Sequence, residues 1–277
     1  QRIRFLGTLM LLRTNTPKSS PVWLLLGLPM VTCLVLPAVA LVLASSPGEL
    51  LSSIDHPQFA PAFFLSLWTS ISSLLILIIC ATPLAWWLAN SKSAGARLVT
   101  VLVDIPVVLP PAVVGIALLH TFGRQGLLGG LTLSLGVQIP FTTAAVIIAQ
   151  VVVAAPFYIQ AAVEAFRRVD DALFLVARTL GQSHLGAVLK VALPMAWPGL
   201  LGGAAIAWAR GLGEFGATLL FAGNLPGVTQ TMPLAIYMTL ESDVRVATAL
   251  SLTLAGLAVC LIFVFRIILQ RGLFHWA

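Results

Sequence analysis

Side chains capable of chemistry are few in this sequence, and most are not spaced for catalysis. The four histidines, His56, His120, His184 and His275, are scattered and form no HExxH or other metal-ligand pattern. There is no GxxxxGK[ST] phosphate loop, so the chain cannot itself hydrolyse ATP by that route. GQSHLG at residues 181–186 lacks the G-x-S-x-G spacing of a hydrolase elbow. Cys33, Cys80 and Cys260 lie singly in apolar runs without a CxxC, and read as small buried hydrophobes. With no nucleophile and base constellation, an enzyme is excluded as the reading. Arg210 and Glu214 do stand out, four apart in an apolar run and so on one helical face. Each charge alone costs about 2.5 to 3.5 kcal/mol at a bilayer centre, so both must point away from lipid. They form either a mutual ion pair that braces helices or part of a pathway or gate. On the second reading Gly211, Gly213 and Gly216 permit close helix approach, and Arg210→Ala impairs transport more than assembly. Asp104, in another apolar run, is expected to reach the membrane interface or a basic residue there.

These residues must be held by membrane helices. With 59% hydrophobic and 9% charged residues and a mean hydropathy of +1.04, the chain reads as an all-α, polytopic membrane protein. Its basic residues are scattered singly or in pairs without interleaved aromatics, which excludes nucleic acid as a partner. Residues 1–20 read as an amphipathic segment at the cytoplasmic surface, and 21–277 as one transmembrane domain. The chain opens on Gln1 rather than Met, so residues upstream are expected. Six spans are predicted, over residues 22–44, 61–88, 98–119, 141–162, 199–221 and 246–269. The third contains Pro106, Pro110 and Pro111, and is expected to unwind near Leu109 and face protein or a water-lined cavity. Broken helices of this kind mark binding sites in transporters, which makes Pro110 and Pro111 pathway candidates. Thr142, Thr143, Gln150, Thr218 and Thr231 are neutral groups that could line such a path, although hydroxyls in spans usually bond back to their own helix.

Six spans put both termini on one side. With that side inside, twelve basic residues lie inside (Arg2, Arg4, Arg13, Lys18, Lys92, Arg97, Arg167, Arg168, Arg178, Lys190, Arg266, Arg271) against Arg124 and Arg245 outside. This positive-inside bias makes both termini cytoplasmic and places residues 170–198 in the cytoplasm. That stretch, DDALFLVARTLGQSHLGAVLKVALPMAWP, breaks its apolar residues into groups too short to cross a bilayer. It reads as two short amphipathic helices separated by Gly181, the second closed by Pro194 and Pro198. Their apolar stripe needs a partner, and so little of the chain is cytoplasmic that a separate soluble protein is the expected one.

The run A-R-T-L-G, nine residues, then V-A-L-P (177–181 and 191–194) resembles the permease signature loop of ATP-binding-cassette importers. The pattern of that family is E-A-A, three residues, Gly, nine residues, Ile-x-Leu-Pro. Leu175 and Val176 stand here in place of its Glu and first Ala. Residues 109–129, 139–150 and 209–237 are similar, in order and spacing, to the molybdate permeases of the molybdate, tungstate and sulfate importer group.

The resemblance implies a type I importer permease fold and a coupling loop that docks on the ATPase, through Ala177, Arg178, Gly181, Gln182, Ser183, His184, Leu193 and Pro194. It implies a pair of permease copies, expected to be a homodimer, over two ATPase subunits that carry the ATP and Mg, with no cofactor on this chain. An extracytoplasmic binding protein would deliver the anion to the outer connectors, 45–60, 121–139 and 223–242. The candidate pathway and gate residues are Pro110, Pro111, Arg210, Glu214, Phe215 and Thr218. The expected function is ATP-driven, alternating-access import of molybdate or tungstate across the cell membrane. The alternatives are a sulfate or thiosulfate permease and, from another class, an ion-gradient-driven anion transporter.

Overall fold

The computed structural model describes residues 21–44, 48 and 56–273. The amphipathic segment expected over 1–20, and Glu49 and Asp55 of the first connector, lie outside the described residues. The chain separates into two compact units, Gln1–Ser46 and Pro47–Ala277, so the single domain expected from residue 21 divides after the first span. In the first unit, helix α1 (Pro21–Leu43) carries Pro29 and Pro37 and is apolar on every face. Nearly all its described side chains are exposed, as suits a helix whose surroundings are lipid.

The second unit is built on three long helices: α2 (Phe59–Asn90), α6 (Thr143–Arg167) and α9 (Leu193–Leu212). Their contact is lined with small residues, Ala81 and Ala85 from α2, Ala154 and Ala162 from α6, and Ala196, Ala204 and Ala207 from α9. Small side chains let the backbones approach where the hydrophobic effect offers no drive between helices. The approach is closest at Gly199 and Gly203, where an added Cβ would sit 2.5 Å from Ala165 Cβ and 2.6 Å from Ala161 Cβ. Polar contacts also cross the seam, among them one between Thr82 of α2 and Tyr158 of α6. Thr82 Oγ1 donates to Ile78 O at 2.6 Å, so Tyr158 Oη is the donor in its 2.7 Å bond to Thr82 Oγ1.

Further helices are grafted on this core. The predicted third span is two helices, α3 (Ala94–Val108) and α4 (Pro111–Phe122), bent by 116° at the expected break. Pro110 supplies no N–H and holds an extended ψ of 138°, which ends one helix and starts the next. Helix α5 (Gly129–Ser134) lies in the following connector. The predicted fifth span is corrected at both ends. It begins at α8 (His184–Ala187), passes through a π-helical turn (Val188–Ala192) into α9 and stops at Leu212, and α10 (Gly216–Ala222) is a separate short helix. Pro194 and Pro198 therefore do not close a loop helix. Pro194 sits in the first turn of α9, where its missing N–H costs little, and Pro198 is carried inside it. The last connector is also corrected, since it contains helix α11 (Met232–Ser242) packed on α12 (Val244–Leu273). Among the described residues, five helices are long and apolar enough to span a membrane, or six if the bent α3–α4 pair counts as one.

Candidate functional site

The two helix breaks meet. Past α9 the chain turns at Gly213, and Glu214 becomes almost fully buried, at 1% exposure. Its Oε2 accepts from Arg210 Nη1 at 2.8 Å and its Oε1 accepts from Ala217 N at 2.8 Å. One carboxylate thus neutralises the cation at the end of α9 and satisfies a free N–H in the first turn of α10. The expected i, i+4 pairing is present, but Glu214 stands beyond the helix rather than on its face near the span centre. Helix α10 is pressed on α4 through two glycines. A Cβ at Gly115 would lie 2.8 Å from Ala217 O, and one at Gly216 would lie 3.0 Å from Pro111 Cβ. The structure therefore gathers Pro111, Arg210, Glu214 and Thr218 around one junction, with Pro110 exposed at its edge. Phe215 turns toward Tyr237 of α11, ring centroids 5.2 Å apart.

The neutral polar candidates divide. Thr142 caps α6, and Thr143 Oγ1 donates to Val228 O at 2.9 Å. Gln150 Nε2 donates to Thr69 Oγ1 at 3.2 Å inside the bundle. Thr218 Oγ1 and Thr231 Oγ1 are buried without a hydrogen-bond partner. Asp104 pairs with no basic residue among the described residues, and Gln160 Nε2 of α6 donates to its Oδ1 at 2.6 Å. Cys33, Cys80 and Cys260 are exposed rather than buried. An apolar helix face meeting lipid accommodates a thiol as readily as a packed core does, so burial could not be read from the apolar runs.

At the other end of the unit, the stretch over 170–198 opens with α7 (Asp171–Thr179), capped by Asp170, whose carboxylate accepts from Ala172 N at 2.8 Å. Gly181 ends the turn at φ +88°, a conformation glycine adopts without penalty. Ser183 caps α8 through Gly186 N at 3.0 Å, and Arg178 Nη1 donates to Gln182 O at 2.9 Å. Ala177 is buried, Gln182, Leu193 and Pro194 are half-buried, and Leu175, Val176, Leu180 and Leu185 stand exposed. Four rings fasten this segment to the long helices. Trp86 of α2 stands 5.3 Å from Phe166, 5.6 Å from Phe174 and 6.4 Å from His184, and Phe174 lies 5.4 Å from His184. Sequence reasoning missed this cluster, since its members are spread over about a hundred residues and no local spacing joins them. The start of α11 was more accessible, because Met-Pro after Thr231 is a helix-opening signal.

Residues 81–273 match the family described as binding-protein-dependent transport system inner membrane component. The chain belongs to this family. The matched stretch holds both helix breaks and the α7–α8 segment and leaves out α1. As a member, the chain is a multi-pass membrane transport component and not an enzyme. The molybdenum transport system permease protein ModB of Mycobacterium tuberculosis is 38% identical over 245 residues, covering 88% of this chain and 93% of the relative. The probable transport system permease protein NifC of Clostridium pasteurianum is 34% identical over 249 residues, covering 90% and 87%. Among solved structures, a bacterial alginate ABC transporter bound to its periplasmic protein superposes with a TM-score of 0.70 at 18% identity, over 90% of this chain and 94% of that one. The inward-facing MetNI methionine ABC transporter gives 0.61 at 20% identity, over 78% and 96%. These structural likenesses establish the type I importer permease fold expected for this component.

Proposed function

We propose that this chain is the membrane subunit of an ATP-driven importer of molybdate or tungstate. The observation that carries the reading is the 38% identity maintained over 93% of the mycobacterial molybdenum permease. In the proposed assembly two copies form the pathway and two ATPase subunits, holding ATP and Mg, receive the 170–198 loops. An extracytoplasmic binding protein delivers the oxyanion to the outer connectors, and both termini are cytoplasmic. The exposed Leu175, Val176, Leu180 and Leu185 give the loop an apolar surface for the ATPase cleft.

The helix geometry suggests how the loop acts on the pathway. His184–Leu212 is one hydrogen-bonded rod of 29 residues, about 43 Å long at 1.5 Å per residue. When the ATPases close and draw the loops together, this rod carries the displacement to its far end. There the Arg210–Glu214 pair and the Gly213 turn join it to α10, and α10 moves with α4 because glycine contacts lock them. The outer half of the pathway opens, and ATP hydrolysis resets it.

Proteoliposomes containing the chain with its ATPase and binding protein test this reading. Molybdate uptake is expected to require ATP and the ATPase, to survive collapse of proton and sodium gradients, and to be competed by tungstate more strongly than by sulfate. Gradient-driven uptake by this chain alone, or preference for sulfate, would refute the assignment.

A further inference from the structure

A cavity of about 310 Å³ lies mainly between α3 and α6, with Leu88 of α2 at its edge. Thr100 and Asp104 line it from α3, and Gln160, Glu164 and Arg167 from α6. Depth is read along each helix from its basic end. Asp104 follows Arg97 by seven residues and Gln160 precedes Arg167 by seven, so both lie about 10 Å deeper than those cations at 1.5 Å per residue. A carboxylate and a carboxamide at that depth would lie inside the hydrocarbon layer if the face met lipid, yet Gln160 and Glu164 are exposed on the surface of the chain and Asp104 is half-exposed. Polar groups at such depth face water or protein, not acyl chains.

The charges are unbalanced in a particular way. Arg167 Nη1 is 2.9 Å from Glu164 Oε1, so those two neutralise each other. Asp104 is held by the neutral Gln160, and among the described residues no cation pairs with it. Gln160 orients the carboxylate without cancelling its charge.

Resting on the importer reading and its orientation, we propose that the α3–α6 face lines a water-filled vestibule opening to the cytoplasm, and that Asp104, positioned by Gln160, repels the dianionic cargo there and so speeds its release and opposes its return. The junction upstream carries Arg210, already neutralised by Glu214, so an oxyanion moving inward passes from a balanced ion pair to the unpaired carboxylate of Asp104. Its residence on the cytoplasmic side is thereby shortened without altering recognition outside.

The test uses the reconstituted complex of permease, ATPase and binding protein, with ATP-driven uptake measured against rising molybdate on the cytoplasmic side. Asp104→Asn keeps the acceptor for Gln160 and removes the charge. At low ionic strength it is expected to lower the inhibition constant for cytoplasmic molybdate about sevenfold, the Coulomb factor for a dianion about 7 Å from a carboxylate in water. The difference should shrink in about 0.5 M salt, where the Debye length falls to roughly 4 Å, shorter than that separation. Asp104→Glu should behave as wild type. An unchanged inhibition constant in Asp104→Asn, or a shift insensitive to salt, overturns the charge role. A second measurement does not depend on cargo. In a chain with Cys33, Cys80 and Cys260 replaced, Gln160→Cys is expected to react with a charged methanethiosulfonate added from the cytoplasmic side. Reaction only with a lipid-soluble maleimide, or cross-linking to a second copy in place of labelling, overturns the vestibule. If the wild-type complex takes up no molybdate, the importer reading fails and the charge role with it, whereas the labelling result still reports whether the face is wet.

Discussion

Glu214 serves two neighbours at once, and this decides how its partner is best understood. With the carboxylate at 1% exposure and bonded to both Arg210 and Ala217 N, Arg210→Ala leaves a buried charge uncompensated. Breaking one side of such a pair costs about 3 kcal/mol. Complex yield and molybdate uptake are therefore expected to fall together in Arg210→Ala, as measured by thermal unfolding and transport of the purified complex. Normal yield with abolished uptake would return Arg210 to the pathway, the outcome the sequence had favoured on the gate reading. Glu214→Gln, which keeps an acceptor for Ala217 N, should be milder than Glu214→Ala. The i, i+4 spacing made the pairing itself legible. The second bond was not, because it depends on the chain leaving the helix at Gly213, and a run of glycines reads equally well as helix packing.

The α7–α8 segment shows the same division among elements. Asp170, Gly181 and Ser183 are cap and turn residues whose local roles follow from residue type, and each is found in that role. What fastens the segment is Trp86 packing at an angle against the rings of Phe174 and His184, a contact between distant parts of the chain. Gly181 is at φ +88° with nothing within 4 Å of an added Cβ. Gly181→Arg therefore pays about 1 to 2 kcal/mol of left-handed strain and clashes with nothing in this chain. The spans should stay folded while coupling or ATPase assembly is lost, and Gly181→Asn, which tolerates that conformation, should retain more of both. Co-purification of the ATPase and ATP-driven uptake read the difference, and normal uptake by Gly181→Arg would leave the docking role without support.

For the whole molecule, much apolar surface faces outward, as expected of a chain solvated by lipid. Cys80 on α2 and Cys260 on α12 share that surface, and Cys33 is exposed on α1. A charged reagent does not enter hydrocarbon, so it does not reach a thiol on a lipid-facing surface. The three cysteines are thus expected to resist charged thiol reagents in intact membranes and to react once the complex is denatured, with mass spectrometry counting the adducts. Rapid labelling of Cys80 or Cys260 in membranes would show that its helix borders water.

Class, the main apolar runs and the proline break were legible in the sequence because they depend on composition and on local backbone chemistry. An apolar run long enough to cross a bilayer has few alternatives, and Leu109-Pro110-Pro111 cannot continue a helix. Where each run ends was less legible. His184–Leu212 passes through two prolines and a π-turn because α2 and α6 support it along its length, and α10 separates from it because Glu214 satisfies its first turn. Only the tertiary structure could bring the α4 and α10 breaks together, fasten the loop to Trp86, and leave Asp104 bonded to Gln160 without a cation. Those outcomes depend on which distant side chain arrives first, and local spacing carries no record of that.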